Sequence, residues 1–340
     1  MRPAIAAIGP PRRLAAVKVL VTGGAGYIGA HLVRLLAERG DHVIVADDLA
    51  TGKAARIGDV PVIRLDLASD AAAATLTAAM REHEVDTVVH FAARKQVGES
   101  VERPAWYYQQ NVGGLANVLL AMESAGVGRI IFSSSAAVYT AAEKPVTEDS
   151  PTGPISPYGE TKLVGEWLTK DAAAAQGLKA ASLRYFNVAG AGAPELGDTA
   201  ALNLIPMVLE KLAAGEAPVI FGADYPTPDG TCIRDYIHVQ DVAEAHLAAI
   251  DGLDGLGVGN HLFNVGTGRG ESVREIIDAV LAVAGVDFEP IVADRRPGDP
   301  AVVVAAVDRV RTELGWSARF GLDQIVQSSW DAHRYALAAR

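Results

Sequence analysis

Residues 21–31 read VTGGAGYIGAH, a strand end followed by glycines at every third position. The stretch continues the apolar run 17–22, which is typical of a buried parallel strand. Gly23, Gly26 and Gly29 suit a tight turn, close backbone approach to a pyrophosphate, and tight packing of helix against strand. The helix that follows would point its N-terminus at the phosphates. The stretch therefore predicts a strand–turn–helix unit that binds a dinucleotide.

Apolar runs and helical patterns alternate after this turn. One helix is predicted from residue 28 until Gly40 stops it. Further strands are predicted at 43–46, 62–65, 87–91, 129–133 and 181–185, and further helices at about 70–83, 105–125 and 158–175. Such alternation predicts an α/β fold with a doubly wound parallel sheet, which is a Rossmann-like domain over residues 17–186.

The second half of the chain has a different character. Glycine, alanine and proline become frequent after about residue 187. Short strands are predicted in PVIFG, RDYIHV, HLFNVG and PIVAD, with helices near 241–251, 272–284 and 322–338. We therefore expect a smaller, mixed α/β substrate-binding lobe over residues 187–340, some segments of which return to the main sheet. Residues 1–16 are expected to be a disordered leader, because glycine and prolines at 9–11 break the apolar run of a signal peptide.

Composition excludes several classes of protein. The net charge of −11 argues against a nucleic-acid surface. No apolar run approaches the roughly 18–20 residues of a membrane span. The single cysteine, Cys232, excludes an internal disulfide and fits a reducing cytoplasm, and a plain buried cysteine is favoured over a ligand contact. The histidines show no ligand spacing, so no metal site is predicted.

A carboxylate at the end of the second strand indicates which dinucleotide binds. Asp47 lies 18 positions after Gly29, near the expected spacing. A carboxylate there accepts hydrogen bonds from the adenosine ribose and repels a 2′-phosphate, which favours NAD over NADP. Capping of a loop by Asp47 or Asp48 is the alternative. Asp66, after the third strand, is expected to hold the adenine edge.

Residues 156–162, SPYGETK, place Tyr158 and Lys162 on one face of a helix. A phenol has a pKa near 10, so it needs a shift of roughly three units to act as a base near neutrality. A nearby ammonium favours the phenolate. Ser135, at the end of the strand in RIIFSSSAAVY, offers a hydroxyl that can share the substrate proton. An accidental pair on a solvated helix face is the alternative for a lone YxxxK.

The order of the motifs TGGAGYIG, HFAARKQVGES, YYQQNV, FSSSAAVY, SPYGETK, LRYFNVAGA and RDYIHVQDVAEAH resembles the extended short-chain dehydrogenase/reductase family. Within it, the chain is similar to the UDP-glucose (UDP-galactose) 4-epimerases from about residue 17 to its end. The resemblance implies a bound NAD that takes hydride from the sugar C4 and returns it to the opposite face of a 4-keto sugar. It also implies a homodimer packed through helices 105–125 and 158–175. Leu163, Trp167 and Leu168 lie at helical spacing on the second helix and are candidate interface residues, and core packing within one subunit is the alternative.

The resemblance also assigns site residues. Tyr158 would be the base, Lys162 would tune it, and Ser135 would share the proton. The cofactor would be bound by Gly23, Gly26, Tyr27, Ile28, Gly29, Asp47, Asp48, Asp66, Leu67, Phe91, Ala92, Lys95, Asn111, Tyr158, Lys162 and Tyr185. The UDP-sugar would be bound by Ser135, Tyr158, Phe186, Asn187, Asn203, Phe221, Arg234, Arg296, Asp299 and Val303. A solvated ion pair is expected for Arg295.

Several related enzyme activities differ from the 4-epimerization of UDP-glucose in their substrate or chemistry. Many bacterial relatives have a tyrosine at the position of Val303, where the valine leaves more room. We therefore expect that an N-acetyl group is tolerated and that UDP-GlcNAc and UDP-GalNAc are a second substrate pair. A dehydratase needs an acid/base carboxylate pair after the strand-end hydroxyl, where this chain has Ala136 and Ala137. The sequence also leaves open a pentose or uronate 4-epimerase, a net reductase, and an NAD sensor without chemistry.

Overall fold

The computed structural model describes residues 16–140, 144–200, 202–296 and 298–338. Residues 1–15 of the expected leader lie outside this range. The strands are β1 Lys18–Thr22, β2 His42–Asp47, β3 Val62–Arg64, β4 Thr87–His90, β5 Arg129–Ser135, β6 Lys179–Tyr185, β7 Asn187–Ala189, β8 Val219–Phe221, β9 Ile233–Arg234, β10 Tyr236–His238, β11 Gly259–Val265, β12 Glu271–Ser272, β13 Ile291–Ala293 and β14 Val302–Val303. The helices are α1 Tyr27–Arg39, α2 Ala72–Glu82, α3 Val97–Glu102, α4 Pro104–Tyr108, α5 Gly114–Ala125, α6 Pro157–Gln176, α7 Leu204–Ala213, α8 Val239–Leu256, α9 Val273–Ala284, α10 Asp308–Leu314 and α11 Leu322–Ala338.

Seven parallel strands form the main sheet in the order β11-β6-β5-β4-β1-β2-β3. The strand order reverses between β1 and β4, and such a switch point is where α/β sheets bind ligands. Helices cover both faces of the sheet, and two hydrophobic clusters fill the space beneath them. The predicted doubly wound parallel sheet is therefore confirmed.

The turn between β1 and α1 requires glycine. Gly23 has φ +69°, and a Cβ on it would lie 2.6 Å from the amide nitrogen of Ala92. A Cβ on Gly29 would lie 2.3 Å from the carbonyl oxygen of Gly23. Because a side chain at either position would collide with backbone, these glycines let the helix start directly against the strand.

The structure corrects three details of the secondary-structure prediction. The helix predicted at 105–125 is interrupted, since a π-helical turn at Gln109–Gly113 separates α4 from α5. The strand predicted in RDYIHV is split into β9 and β10 at Asp235, whose buried carboxylate accepts the amides of Thr267, Gly268 and Ala305. Three helices, α3, α7 and α10, were not predicted.

A smaller lobe is built from short sheets and from α7, α9 and α11, which enclose their own hydrophobic cluster. Strand β11 leaves this part of the chain and pairs with β6 in the main sheet. The division at residues 186 and 187 stays a prediction. No helix within the described residues is long and apolar enough to cross a membrane.

Candidate active site

The amino end of α6 presents two of the predicted site residues. The hydroxyl of Ser156 caps the helix by accepting the Gly159 amide at 3.2 Å, and Pro157 takes the first position. Gly159 allows close packing, since a Cβ there would lie 2.5 Å from the Ala137 carbonyl oxygen. The turn that begins here carries Tyr158, one turn before Lys162.

Lys162 is buried beneath this turn. Its Nζ donates to the carbonyl oxygen of Ser133 at 2.9 Å and lies 5.9 Å from the ring centre of Tyr158. Burial lowers the pKa of Lys162 to about 8, and the charge of Glu166 opposes that fall. The ammonium is therefore held at the sheet edge, close to losing its proton at mildly alkaline pH.

Tyr158 is half-buried beside the strand-end Ser135. Burial raises the pKa of the Tyr158 phenol, and the Ser135 hydroxyl lowers it through a hydrogen bond. The sequence analysis predicts that Lys162 lowers the pKa of Tyr158. In the structure the net shift of this pKa is upwards, and Ser135 is the group that opposes it. Tyr185 lies close enough to Tyr158 that their charges would repel, and burial holds its own pKa well above the usual value.

A buried carboxylate fixes α6 to the sheet. Glu166 accepts two hydrogen bonds from Arg184, at 2.8 and 2.6 Å, and one from Ser134 at 2.5 Å. Arg184 also donates to the hydroxyl of Tyr139 at 2.9 Å, and Tyr139 donates to Asn264 at 2.6 Å. The network joins β5, β6 and β11 behind the site. Glu166 was not predicted as a site residue. The sequence signal that could have indicated it is a carboxylate four positions after Lys162, on the same face of the helix.

Several of the predicted cofactor residues lie around the crevice expected between the carboxyl ends of β1, β2 and β4. Asp47 is buried, which raises its pKa, and its carboxylate accepts the amides of Leu49 and Ala25. Tyr27 donates its hydroxyl to the Gly190 carbonyl at 2.5 Å. The side chain of Tyr27 therefore has a structural role. The group of Tyr27 that can bind a ligand is its backbone amide, at the start of α1.

Asn111 braces one wall of this crevice. Its side chain accepts the Arg94 amide at 2.8 Å, donates to the Arg94 carbonyl at 3.0 Å, and donates to Thr161 of α6 at 3.0 Å. Asn111 lies within the π-helical turn, so these bonds fix that turn to α6 and to the segment after β4. Lys95, which follows Arg94, is half exposed, and its Nζ lies 4.0 Å from Asp198.

Arg94 is a residue of this crevice that the sequence did not single out. Its Nη2 donates to Asp48 at 2.5 Å and to Gln110 at 3.1 Å. The guanidinium also lies 5.3 Å from the ring centre of Trp106. A basic residue directly before Lys95 was the available signal. The structure thus places an ion pair between the ends of β2 and β4.

The other predicted cofactor residues are distributed around the same edge. Phe91 stacks on His246 with ring centres 4.5 Å apart. Asp66 is exposed and accepts the Ala68 amide, while Leu67 is buried. The predicted residues at this edge that make backbone or apolar contacts only are Gly23, Gly26, Ile28, Gly29 and Ala92.

The smaller lobe brings four predicted substrate residues together. Arg234 on β9 pairs with Asp299, with Nη2 and Oδ1 3.0 Å apart. Arg296 lies over the ring of Phe221, 4.0 Å from its centre. The two pairs are adjacent, since the Asp299 amide donates to the Arg296 carbonyl at 3.3 Å. Guanidinium groups and an aromatic ring so placed can bind a phosphate group and a planar base.

The expected solvated ion pair of Arg295 is present. Its Nε lies 2.6 Å from Asp224, and both side chains are exposed. The guanidinium also stacks on Tyr225 at 4.1 Å. Cys232 is buried, as expected.

The remaining predicted substrate residues are divided between the end of β6 and the smaller lobe. Phe186 is buried against Val303, Val138 and Tyr139. Asn187 is exposed at the start of β7. Asn203 precedes α7, and its side chain donates to Asp198 at 3.1 Å. Asp198 also lies near Lys95.

Within the described ranges, no three histidine, cysteine, aspartate or glutamate side chains are grouped to hold a metal ion.

Known proteins resemble this chain in sequence and in fold. A model of the NAD dependent epimerase/dehydratase family matches residues 19–266. The UDP-glucose 4-epimerase of Azospirillum brasilense is 46% identical over 326 residues, which cover 93% of this chain and 92% of that protein.

Solved structures give the same picture. UDP-glucose-4-epimerase from Stenotrophomonas maltophila, with bound NAD and formylated UDP-arabinopyranose, has a TM-score of 0.89 and 41% identity, covering 95% of this chain and 100% of that one. UDP-glucose 4-epimerase from Brucella ovis, in complex with NAD, has a TM-score of 0.88 and 40% identity, covering 93% of this chain and 98% of that one.

The lowered pKa of Lys162 predicts a pH-dependent stability difference. Between pH 8 and the ordinary value of 10.5, the native protein has lost this proton while the unfolded chain retains it. The stability of the wild type should therefore rise with pH relative to Lys162→Met, by about 2 kcal/mol between pH 7.5 and 10. Urea unfolding of the cofactor-free proteins measures this. Lys170→Met, exposed on the same helix, should show no such trend, and a difference for Lys162→Met that is independent of pH contradicts the assignment.

Proposed function

The chain belongs to the NAD dependent epimerase/dehydratase family, and on that premise we propose that it is an NAD-dependent 4-epimerase that interconverts UDP-glucose and UDP-galactose. The observation that carries this proposal is the grouping of Tyr158, Ser135 and Lys162 at the end of β5, in the same sheet whose strand β1 ends in the glycine turn. That grouping offers a base, a proton-sharing hydroxyl and an ammonium in one place. Such a set is needed to move a proton on and off a sugar hydroxyl.

The residues around the glycine turn fit a dinucleotide. A Cβ at Gly23 or Gly29 would collide with backbone, so glycine at these positions lets α1 start directly against the end of β1, where its free amides could meet a pyrophosphate. Asp47 offers a buried carboxylate near the amide of Ala25, where a 2′-phosphate would be repelled. Bound NAD⁺ would supply a hydride acceptor and, once reduced, a hydride donor.

The chain's own groups handle the proton. Tyr158 would take the proton of the sugar 4-OH as the C4 hydride leaves, which gives a 4-keto sugar. Once the sugar has presented its other face, Tyr158 would give the proton back to the oxygen as C4 regains hydride. Ser135 would share this proton, and Lys162 would stabilise the phenolate. The sequence of steps is redox-neutral.

The surface on the smaller lobe supports the nucleotide assignment. Arg234 and Arg296 would meet the diphosphate through planar guanidinium groups. Phe221 would contact the uracil and Asp299 a ribose hydroxyl. Asn187 and Asn203 would bind the sugar-diphosphate from the strand end and the helix start. The absence of a carboxylate at Ala136 and Ala137 disfavours a dehydratase.

A cytoplasmic location and a role in galactose metabolism belong to the same proposal. The single cysteine is buried and fits a reducing compartment. The relatives named UDP-glucose 4-epimerase support the metabolic role.

A homodimer is also part of the proposal. Trp167 on α6 is 55% exposed, and Tyr108 on α4 is 37% exposed. The hydroxyl of Tyr108 donates to Glu160 at 3.0 Å, so α4 and α6 share one outward face. Large exposed apolar side chains on a common face are typical of subunit interfaces.

Replacement of Tyr158 tests the chemistry. Tyr158→Phe should lower kcat by about 100-fold or more, because general-base catalysis is lost. The assay is turnover of UDP-galactose after gel filtration, without added NAD, where the wild type should remain active. Tyr108→Phe removes a phenol of the α4/α6 surface and should keep near-normal kcat. Near-wild-type rates for Tyr158→Phe would overturn the role of the phenol.

The N-acetylated substrate pair is tested at Val303. This valine is in register with Arg234 and packs against Phe186, at the wall expected for the sugar. The wild type should interconvert UDP-GlcNAc and UDP-GalNAc, and Val303→Tyr should reduce that rate at least about tenfold by filling the space. Turnover of UDP-galactose by the variant is the control. No N-acetyl turnover by the wild type would sink this part of the proposal.

The dimer is tested on α6. Trp167→Glu should shift the protein to a monomer, because a charge would have to be buried in the interface. Sedimentation velocity measures the mass. Val258→Glu changes another exposed apolar residue, outside α4–α6, and should leave the dimer intact. A wild-type monomer, or a dimer that survives Trp167→Glu, contradicts this face as the interface.

A further inference from the structure

The ion pair between Arg94 and Asp48 joins two walls of the cofactor crevice. Asp48 directly follows the last residue of β2, and Arg94 comes four residues after β4 ends. In the sheet, β1 lies between β2 and β4, and it ends in the turn that starts at Gly23. The 2.5 Å contact therefore links the chain on either side of the glycine turn.

Both walls are fixed close to that turn. The Gly23 amide donates to Ala46 of β2 at 2.8 Å, and the Ala92 amide donates to Thr22 at 3.2 Å. The separation of the walls is therefore set by the sheet, and the long side chain of Arg94 crosses it.

The side chain of Arg94 is held in this position by two further groups. Gln110 accepts from its Nε and Nη2, at 3.2 and 3.1 Å. Trp106 lies beneath the guanidinium. The backbone of Arg94 is fixed separately by Asn111, so the side chain can be replaced without releasing this wall.

We propose that the Arg94–Asp48 ion pair is a latch that slows the release of the bound dinucleotide. The proposal rests on the proposed function, since it concerns the same cofactor crevice. A dinucleotide lying on the glycine turn would have both walls beside it, and their link must open before the ligand leaves. An enzyme that uses one cofactor through many redox-neutral turnovers benefits from slow release.

The latch is distinct from a direct phosphate contact by Arg94. If Arg94 held the pyrophosphate itself, freeing it from Asp48 would strengthen that contact and slow release. If the ion pair is the barrier, removing either partner accelerates release. The sign of the effect of Asp48→Asn therefore separates the two possibilities. A direct contact of Asp48 with the cofactor would also speed release when it is lost, but its effect would add to that of Arg94→Ala in the double variant, whereas loss of the ion pair would not.

The experiment measures nucleotide release. Full-length protein is loaded with NADH and chased with excess NAD⁺, and the loss of bound NADH fluorescence gives the rate. Arg94→Ala and Asp48→Asn should each release NADH about two- to fivefold faster, the range expected for a partly exposed ion pair. The double variant should be no faster than the single ones, because one contact is lost in each case.

The dependence of the release rate on salt concentration is a second measurement, which a purely structural role of Arg94 and Asp48 would leave unchanged. Release from the wild type should accelerate with ionic strength, and both single variants should lose most of this dependence. Arg103→Ala is the matched control, since Arg103 also stacks on Trp106, at 3.9 Å, but pairs with Glu99 instead of Asp48. Its release rate and salt dependence should equal those of the wild type.

The outcomes separate the latch from the proposed function. Unchanged release in Arg94→Ala, slower or unchanged release in Asp48→Asn, or additive effects in the double variant overturn the latch alone. A wild-type protein that binds no NADH overturns the NAD-dependent function and the latch with it. Thermal unfolding of each variant confirms that the comparison is made between folded proteins.

Discussion

The position of the candidate active site depends on the buried carboxylate of Glu166. Burying a charge is costly unless its oxygens are hydrogen-bonded, and here Arg184 and Ser134 provide three bonds. Glu166 lies one turn after Lys162, so these bonds set the height and rotation of α6 on the sheet. Since Tyr158 is on the same helix, its distance from the strand end is a consequence of this packing.

The features that could be predicted from the sequence are those that depend on residues close together in the chain. The glycine turn follows from contacts between neighbouring residues, and the Tyr158–Lys162 pair follows from the helical repeat. The partners of Glu166 lie 18 and 32 residues away, and the partner of Arg94 lies 46 residues away. No periodicity in a single sequence encodes such pairs. In the structure they are recognised directly, because charged side chains lie in buried or crevice positions.

The smaller lobe shows the same limit more strongly. Arg234 and Asp299 meet across 65 residues, and only the family resemblance indicates them as site residues, because no spacing connects them. The sequence predicts that Asp235, between β9 and β10, continues a single strand. Its carboxylate instead gathers amides from the turn at Thr267 and Gly268 and from Ala305, and this breaks the strand. Satisfying a buried carboxylate outweighed continuation of the sheet.

The protein's own groups favour the neutral phenol of Tyr158, the residue proposed as the base. Burial raises the pKa of Tyr158 and lowers that of Lys162, so both groups are pushed towards their neutral forms. Ser135 opposes the first shift, but Lys162 is turned towards the carbonyl of Ser133. The phenolate therefore needs additional positive charge nearby. An oxidised nicotinamide carries that charge and loses it on reduction, so the affinity of Tyr158 for its proton would rise as hydride leaves the sugar.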